Sequence, residues 1–370
     1  MPSALTSRAR HARAWLMDAA FPFWLERGLD RAHGGYHERL FRDGAPENRN
    51  KRLRVQARQI YSCAFAGKLG WAGPWRDGLQ SALKLMLDKG RQEDGLFIHQ
   101  FSFESAPADA RADLYDQAFV LFALAQASAA LKRPELAQNA IDLWSRLDAL
   151  WAHPKGGFAE GEVEPAGRRR QNPHMHLFEA SMACSALIPR TDMRPRIDAL
   201  GQLFLDHFYD RTHHLVREYF DESWSPALDD AGRIWEPGHS FEWVWLLQQW
   251  SQHGGPDNSD IARALYEQGD REGIDRARNV GIDECWIGGG AKSAEARLWP
   301  QTERLKAALA LGDHAAAASA FDGLWLYISD DGFWADRMKA DGTLVQESGP
   351  ASSFYHILVA LSELFTATDV

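Results

Sequence analysis

Three histidines stand near the polar openings of otherwise apolar segments: His176, His239 and His356. Arg58, Asp116 and Glu303 stand at comparable openings elsewhere in the chain. Two of the histidines are followed three residues later by a glutamate, giving the pairs His176/Glu179 and His239/Glu242. Residues three apart share one face of a helix, so each carboxylate can orient its imidazole and raise its basicity. That is equipment for proton transfer near neutral pH. The plainer reading of any one of these histidines is a hydrogen-bonded core imidazole. The plainer reading of each glutamate is a charge that suits the helix dipole. Three histidines at matching places favour convergence over accident.

The elements that would position these groups follow a period. Six apolar, helix-like segments begin with VQARQIYSCAFAGKL at 55, DLYDQAFVLFALAQA at 113, HMHLFEASMACSALI at 174, GHSFEWVWLLQQW at 238, WPQTERLKAALAL at 299 and SSFYHILVALSEL at 352. Their polar markers recur about every sixty residues, which marks a repeat architecture. Segments 75–90, 135–151 and 194–209 lie between them, with apolar residues at i, i+3, i+4 and i+7, so each reads as a helix with one wet face. Short glycine–aromatic stretches such as GGYHERLF (34–41), DGLFIHQFS (94–102) and HHLVREYFD (213–221) alternate as short strands do.

The architecture expected is all-α: six helical hairpins closed into an (α/α)6 barrel, one domain over residues 1–370, with short β-hairpins at one rim. An open solenoid would leave an apolar flank bare and would need polar capping repeats, and the first and last apolar segments are no more polar than the rest. Closure brings the starts of six inner helices to one mouth, where free N–H groups and positive partial charge suit a polyol or a developing anion.

Composition limits the alternatives. The chain has 370 residues, 45% hydrophobic, with a formal net charge of -10. That argues against nucleic acid or a membrane surface as a general partner. Three scattered cysteines suit reduced thiols rather than a disulfide framework. The N-terminal stretch lacks a continuous apolar region and reads as an amphipathic helix rather than a leader. No run of eighteen apolar residues suggests a membrane span. A cytoplasmic monomer or homodimer is expected. There is no H-E-x-x-H, cysteine pair or dense carboxylate cluster, so no metal is expected, and IGGGAKS (287–293) lacks phosphate-loop spacing, so no cofactor is expected either. Trp235 and Trp299, beside polar markers, are the tryptophans placed to stack on a sugar.

These motifs resemble the N-acylglucosamine 2-epimerase family, which includes cellobiose 2-epimerases, mannose isomerases and sulfoquinovose isomerases. The resemblance rests on Q-A-R at Arg58, H-M-H-x-x-E-A at His176 and Glu179, P-G-H-x-x-E-W at His239 and Glu242, R-x-W-P-x-x-E from Arg297 to Glu303, and Y-H-x-L at His356. It implies an (α/α)6 barrel and chemistry at C1 and C2 of a reducing sugar. The family's two catalytic histidines match His239 and His356. Arg58 is then expected to stabilise an enediolate, and Glu242 to set the His239 tautomer. His176, Glu179, Asp116, Trp299, Glu303, Arg54 and Trp235 are expected to bind substrate. The reaction expected is metal-independent aldose–ketose isomerisation of a free monosaccharide of the mannose/fructose type. A 2-epimerase of the N-acylglucosamine or cellobiose type, a sugar-phosphate isomerase using Arg54, Lys292 or Arg297, and a glycoside hydrolase remain as alternatives.

Overall fold

The computed structural model describes residues 4–164, 167–188 and 192–370. Twelve α-helices form among the described residues. The inner six are α2 (Leu53–Lys68), α4 (Leu114–Leu131), α6 (Gln171–Leu187), α8 (Pro237–Gln252), α10 (Trp299–Ala310) and α12 (Ser353–Thr368). The outer six are α1 (Ala4–Trp15), α3 (Trp75–Lys89), α5 (Pro134–Leu150), α7 (Arg194–Leu203), α9 (Ser259–Gly273) and α11 (His314–Trp325). Each inner helix packs on its inner neighbours, and α12 returns to α2, which closes the ring. Each also packs on one outer helix: α2 on α3, α4 on α5, α6 on α7, α8 on α9, α10 on α11, and α12 on α1. The sixth hairpin thus joins the two ends of the chain.

Sequence chemistry accounts for these roles. Inner helices are apolar nearly all round because they are covered on every side, and in α4 every residue from Asp116 to Ala125 is buried. Outer helices keep one polar face: α5 buries Leu136, Ala140, Leu143, Trp144 and Leu147, spaced for a single stripe. Helix starts carry local signals. Asp113 caps α4 by accepting the Tyr115 amide, and proline occupies the first turn of α5, α7, α8 and α10. The α4 segment of 18 residues does have the length and hydropathy of a membrane span, contrary to the sequence reading, but 72% of it is buried inside the ring.

The strands, two or three residues each, lie at one rim. Some are local hairpins, such as 209–210 with 215–216. Others repeat a longer tie: the strand before an inner helix pairs with the segment that follows that helix's outer partner. Residues 51–52 pair with 100–101, 169–170 with 219–220, 234–235 with 285–286, 296–297 with 337–338, and 349–350 with 39–40. The Asp113–Gly161 bridge supplies the tie before α4.

A second repeat sits one layer in. The buried side chains of Gln56, Gln117 and Gln301 each exchange two hydrogen bonds with the backbone of Tyr36, Phe97 and Gly281. His174 occupies the same slot against Phe158. Gly35 and Gly157 adopt positive φ there, and a Cβ on either would collide with Gln56 or His174.

Candidate active site

The inner helices deliver their first turns to the strand-bearing rim, and the predicted polar residues arrive with them. Trp299, half-buried at the start of α10, lies between two of the histidines. Its ring centre is 4.9 Å from His239 and 5.8 Å from His356. Arg58 lies across from them in an aromatic cage, its guanidinium 4.2 Å from the Phe119 ring and 5.1 Å from Tyr355. It donates to the Tyr115 hydroxyl at 2.8 Å and to the Ser352 carbonyl. Among the described residues no carboxylate pairs with Arg58, so its charge is available to a ligand.

The two rim histidines are held alike but titrate apart. His356 Nδ1 is 2.9 Å from Glu303 Oε1. Burial pushes this imidazole down to about 4, the Glu303 bond opposes that, and the Arg58 charge adds to the depression. His239 Nδ1 is 2.9 Å from Glu218 Oε2. Burial would lower this group too, but the Glu218 and Glu236 carboxylates outweigh it and raise it to about 9. Near neutrality His356 is therefore neutral and His239 protonated. In both rings Nδ1 is engaged and Nε2 is the nitrogen left for a ligand. Titratable groups pushed apart in this way mark an acid and a base.

The partner of His239 corrects the sequence expectation. Glu242, one turn on in α8, does not reach that ring. Its two carboxylate oxygens are buried without a hydrogen bond, with His176 Nδ1 and Lys306 Nζ each 4.0 Å from Oε1. Burial, then the nearby Glu303 charge, raises Glu242 to about 8. The i, i+3 spacing put Glu242 on the inner side of the helix, deeper in the barrel than His239. The other predicted pair does form: His176 Nδ1 is 3.2 Å from Glu179 Oε2, and Tyr355 donates its hydroxyl to the same carboxylate. Burial lowers His176 to about 4.

Glu218 belongs to a repeat that the sequence reading passed over. Two residues beyond the backbone partners Tyr36, Phe97, Phe158 and Gly281 stand Glu38, His99, Glu160 and Asp283, and Glu218 and Asp336 hold the like places in REY and ADR. Four of the acids accept the amide of a residue just ahead of an inner helix or at its cap: Glu38 from Arg52, Glu160 from Arg170, Glu218 from Glu236, and Asp283 from Arg297. The signal was present as a polar residue in HER, IHQ, AEG, REY and ADR, but those stretches read as short strands, and IDE was not singled out.

The remaining predicted residues divide. Asp116 is fully buried, 2.6 Å from His99 Nδ1 and 2.9 Å from Arg54 Nε. Arg54 in turn stacks 4.6 Å from the Tyr115 ring, beside Arg58. Trp235 does not reach the mouth. It is fully buried in a small separate cluster with Leu215, Ile282 and Cys285, the last directly opposite it in the paired 285–286 strand. Glu303 carries a further partner that sequence reading missed, the buried Lys306, with Nζ 2.5 Å from Oε2. Burial alone would raise Glu303, but Lys306 and His356 bring it down to about 2.

Donor atoms of Glu242, Glu303 and His356, and of His176, Glu179 and Glu242, lie within 4.8 Å of one another. The first set already contains an ammonium, since Lys306 neutralises Glu303. A cavity of about 680 Å³ opens at the far end of the barrel, lined by the later turns of five inner helices. Glu179 lines it as well, but the rim histidines do not.

Comparison with known proteins identifies the fold and the family. The family model for N-acylglucosamine 2-epimerase (GlcNAc 2-epimerase) matches residues 34–360. A curated mannose-6-phosphate isomerase from Rhizobium meliloti (strain 1021) is 37% identical, with 96% of each chain aligned. The solved cellobiose 2-epimerase of Spirochaeta thermophila DSM 6192 superposes with a TM-score of 0.86 at 20% identity, covering 100% of this chain and 99% of that one. A solved D-mannose isomerase gives a TM-score of 0.85 at 17% identity, over 99% of each chain. The fold is the (α/α)6 barrel of these enzymes, and the chain belongs to the N-acylglucosamine 2-epimerase family as a sugar isomerase or epimerase.

Proposed function

We propose that the protein interconverts an aldose of mannose configuration and its 2-ketose, without a metal, through a cis-enediolate. The observation that carries this is that His239 and His356, each held through Nδ1 by a carboxylate at 2.9 Å, meet one tryptophan ring, in surroundings that raise the first and lower the second. In the open-chain sugar the C2 proton is weakly acidic. His356 Nε2 removes it, and Glu303 stabilises the imidazolium that forms. The electron pair moves towards the carbonyl carbon, and charge gathers on O1. Arg58 and the protonated His239 meet that charge, which is electrostatic stabilisation of an oxyanion. His239 gives its proton to O1 and takes up the O2 hydroxyl proton, so that the C2 carbonyl forms as His356 returns its proton to C1 and yields the ketose; delivery of a proton to the other face of C2, with the C1 carbonyl restored, would give the epimer. The names of the Rhizobium relative and of the solved D-mannose isomerase support mannose configuration.

A neutral sugar is favoured by the state of the mouth cations. Arg58 apart, which this scheme assigns to O1, the three cations that the sequence offers a phosphate are all paired: Arg54 with Asp116 at 2.9 Å, Lys292 with Glu284 at 2.6 Å, and Arg297 with Glu236 at 3.0 Å and Asp283 at 3.1 Å. A phosphate dianion would have to compete with those carboxylates. The second reading is the 6-phosphate of the same sugar, favoured by the name of the 37% identical relative. A ketose assay on mannose and on mannose 6-phosphate, each with and without EDTA, tests the proposal. Turnover of mannose that survives EDTA is expected. Turnover of the phosphate alone would transfer the assignment to the second reading, and loss of all turnover with EDTA would overturn the metal-free scheme.

A further inference from the structure

Lys306 is a fully buried lysine deep in the barrel. It stands one turn beyond Glu303 on α10, with Nζ 2.5 Å from Oε2. The other oxygen of the same carboxylate holds His356 Nδ1 at 2.9 Å. Glu242 Oε1 on α8 is 4.0 Å from Nζ, the Trp245 ring of α8 is 4.0 Å away, and the Glu179 charge on α6 also favours the ammonium. One cation thus sits among three buried carboxyl groups, and its closest contact is with the one that touches His356.

We propose that Lys306 is a positioning residue: its ammonium keeps Glu303 a carboxylate, and Glu303 thereby keeps the His356 proton on Nδ1 and Nε2 bare towards the sugar. The proposal rests on the assignment of His356 as the base. The logic is proton bookkeeping within one hydrogen bond. A carboxylate accepts, so the imidazole must donate from Nδ1, and Nε2 keeps its lone pair. A buried carboxyl group that loses its cation partner takes up a proton. The neutral acid donates to Nδ1 instead, the imidazole proton then lies on Nε2, and the base has no lone pair to offer. A purely structural lysine would affect stability without moving that proton.

Lys306→Met keeps most of the length and removes the charge. In protein labelled with ¹⁵N-histidine, the His356 signals, assigned by comparison with His356→Ala, should switch from the Nδ1–H to the Nε2–H tautomer. On the same variant kcat should fall by about 100-fold, the scale of one lost acid/base group, with KM changed less than threefold. The loss should be non-additive: in a Glu303→Gln background Lys306→Met should cost little more. An unchanged His356 tautomer in folded Lys306→Met would overturn the proposal. If that variant does not fold, wild-type protein decides. The ¹³C carboxyl signal of Glu303, identified by its absence in Glu303→Gln, should remain that of a carboxylate at pH 5, and a neutral carboxyl there would overturn it. These spectra need no substrate, so inactivity of the wild-type protein towards sugars would defeat the assigned reaction and leave the Lys306 result readable.

Discussion

His239 and His356 come from helices more than a hundred residues apart in sequence and meet the same indole ring, Trp299, at 4.9 Å and 5.8 Å. Each is bonded through Nδ1 to a buried carboxylate at 2.9 Å. The same kind of bond yields opposite charge states because their surroundings differ. His239 feels two further acids, Glu236 beside it and Glu242 deeper in the barrel, whereas His356 feels Arg58 and Lys306. Consequences for rate follow from that difference.

The pH profile of kcat/KM should be a broad bell. His356 must be neutral to accept a proton, so activity falls as pH drops through about 4. His239 must be protonated to meet O1, so activity falls as pH rises through about 9. Initial rates across pH 4 to 10 check this. A single limb near the ordinary histidine value, with nothing on the alkaline side, contradicts the assignment.

Removing either imidazole should stop turnover. His239→Ala and His356→Ala are each expected to lose about 10²–10⁴ in kcat, the range for general acid/base groups. Circular dichroism and thermal melting should show the barrel intact, because both rings lie at the mouth rather than between packed helices. Normal rates in either variant would remove that histidine from the mechanism.

Glu218→Gln should move the alkaline limb and leave the acid limb in place. Without the Glu218 charge the His239 pKa drops, and each unit of drop costs about tenfold at pH values above it. Loss should therefore be severe at pH 8 and slight at pH 6. Glu242→Gln should move that limb less than Glu218→Gln does, since Glu242 makes no bond to His239 and its charge is the smallest of the carboxylate contributions there. A shifted limb in Glu242→Gln and a fixed one in Glu218→Gln would restore the pairing suggested by sequence spacing.

Arg58→Lys keeps one charge but loses the planar fork that sits between Phe119 and Tyr355 and donates to Tyr115. Loss of an oxyanion donor typically costs about 10²–10³ in kcat, and steady-state kinetics should show a fall of that order with the melting temperature little changed. Wild-type kinetics would refute its part in stabilising the enediolate.

The ring was legible because six inner helices must each be apolar all round and yet open with a polar group, a pattern that survives without sequence identity between repeats. Arg58, His176, Glu179, Glu303 and His356 were legible for the same reason. Glu218 was not, since it lies between short strands 215–216 and 219–220, where spacing arguments about helices say nothing. Lys306 was hidden because a lysine inside an apolar helix reads as a wet face, and only the surrounding carboxylates explain its burial. Trp235 was misread for the reverse reason: nearness in sequence to His239 does not keep a strand residue from turning into its own small core.

Deuterium transfer tests the central claim most directly. With mannose in deuterated water, NMR of the products should show ketose carrying deuterium at C1, because the proton taken by His356 exchanges with solvent before its return. That label, together with its loss in His356→Ala, is the expected result. Ketose formed with no solvent deuterium at C1, and formed at the wild-type rate by His356→Ala as well, would contradict histidine-mediated proton transfer.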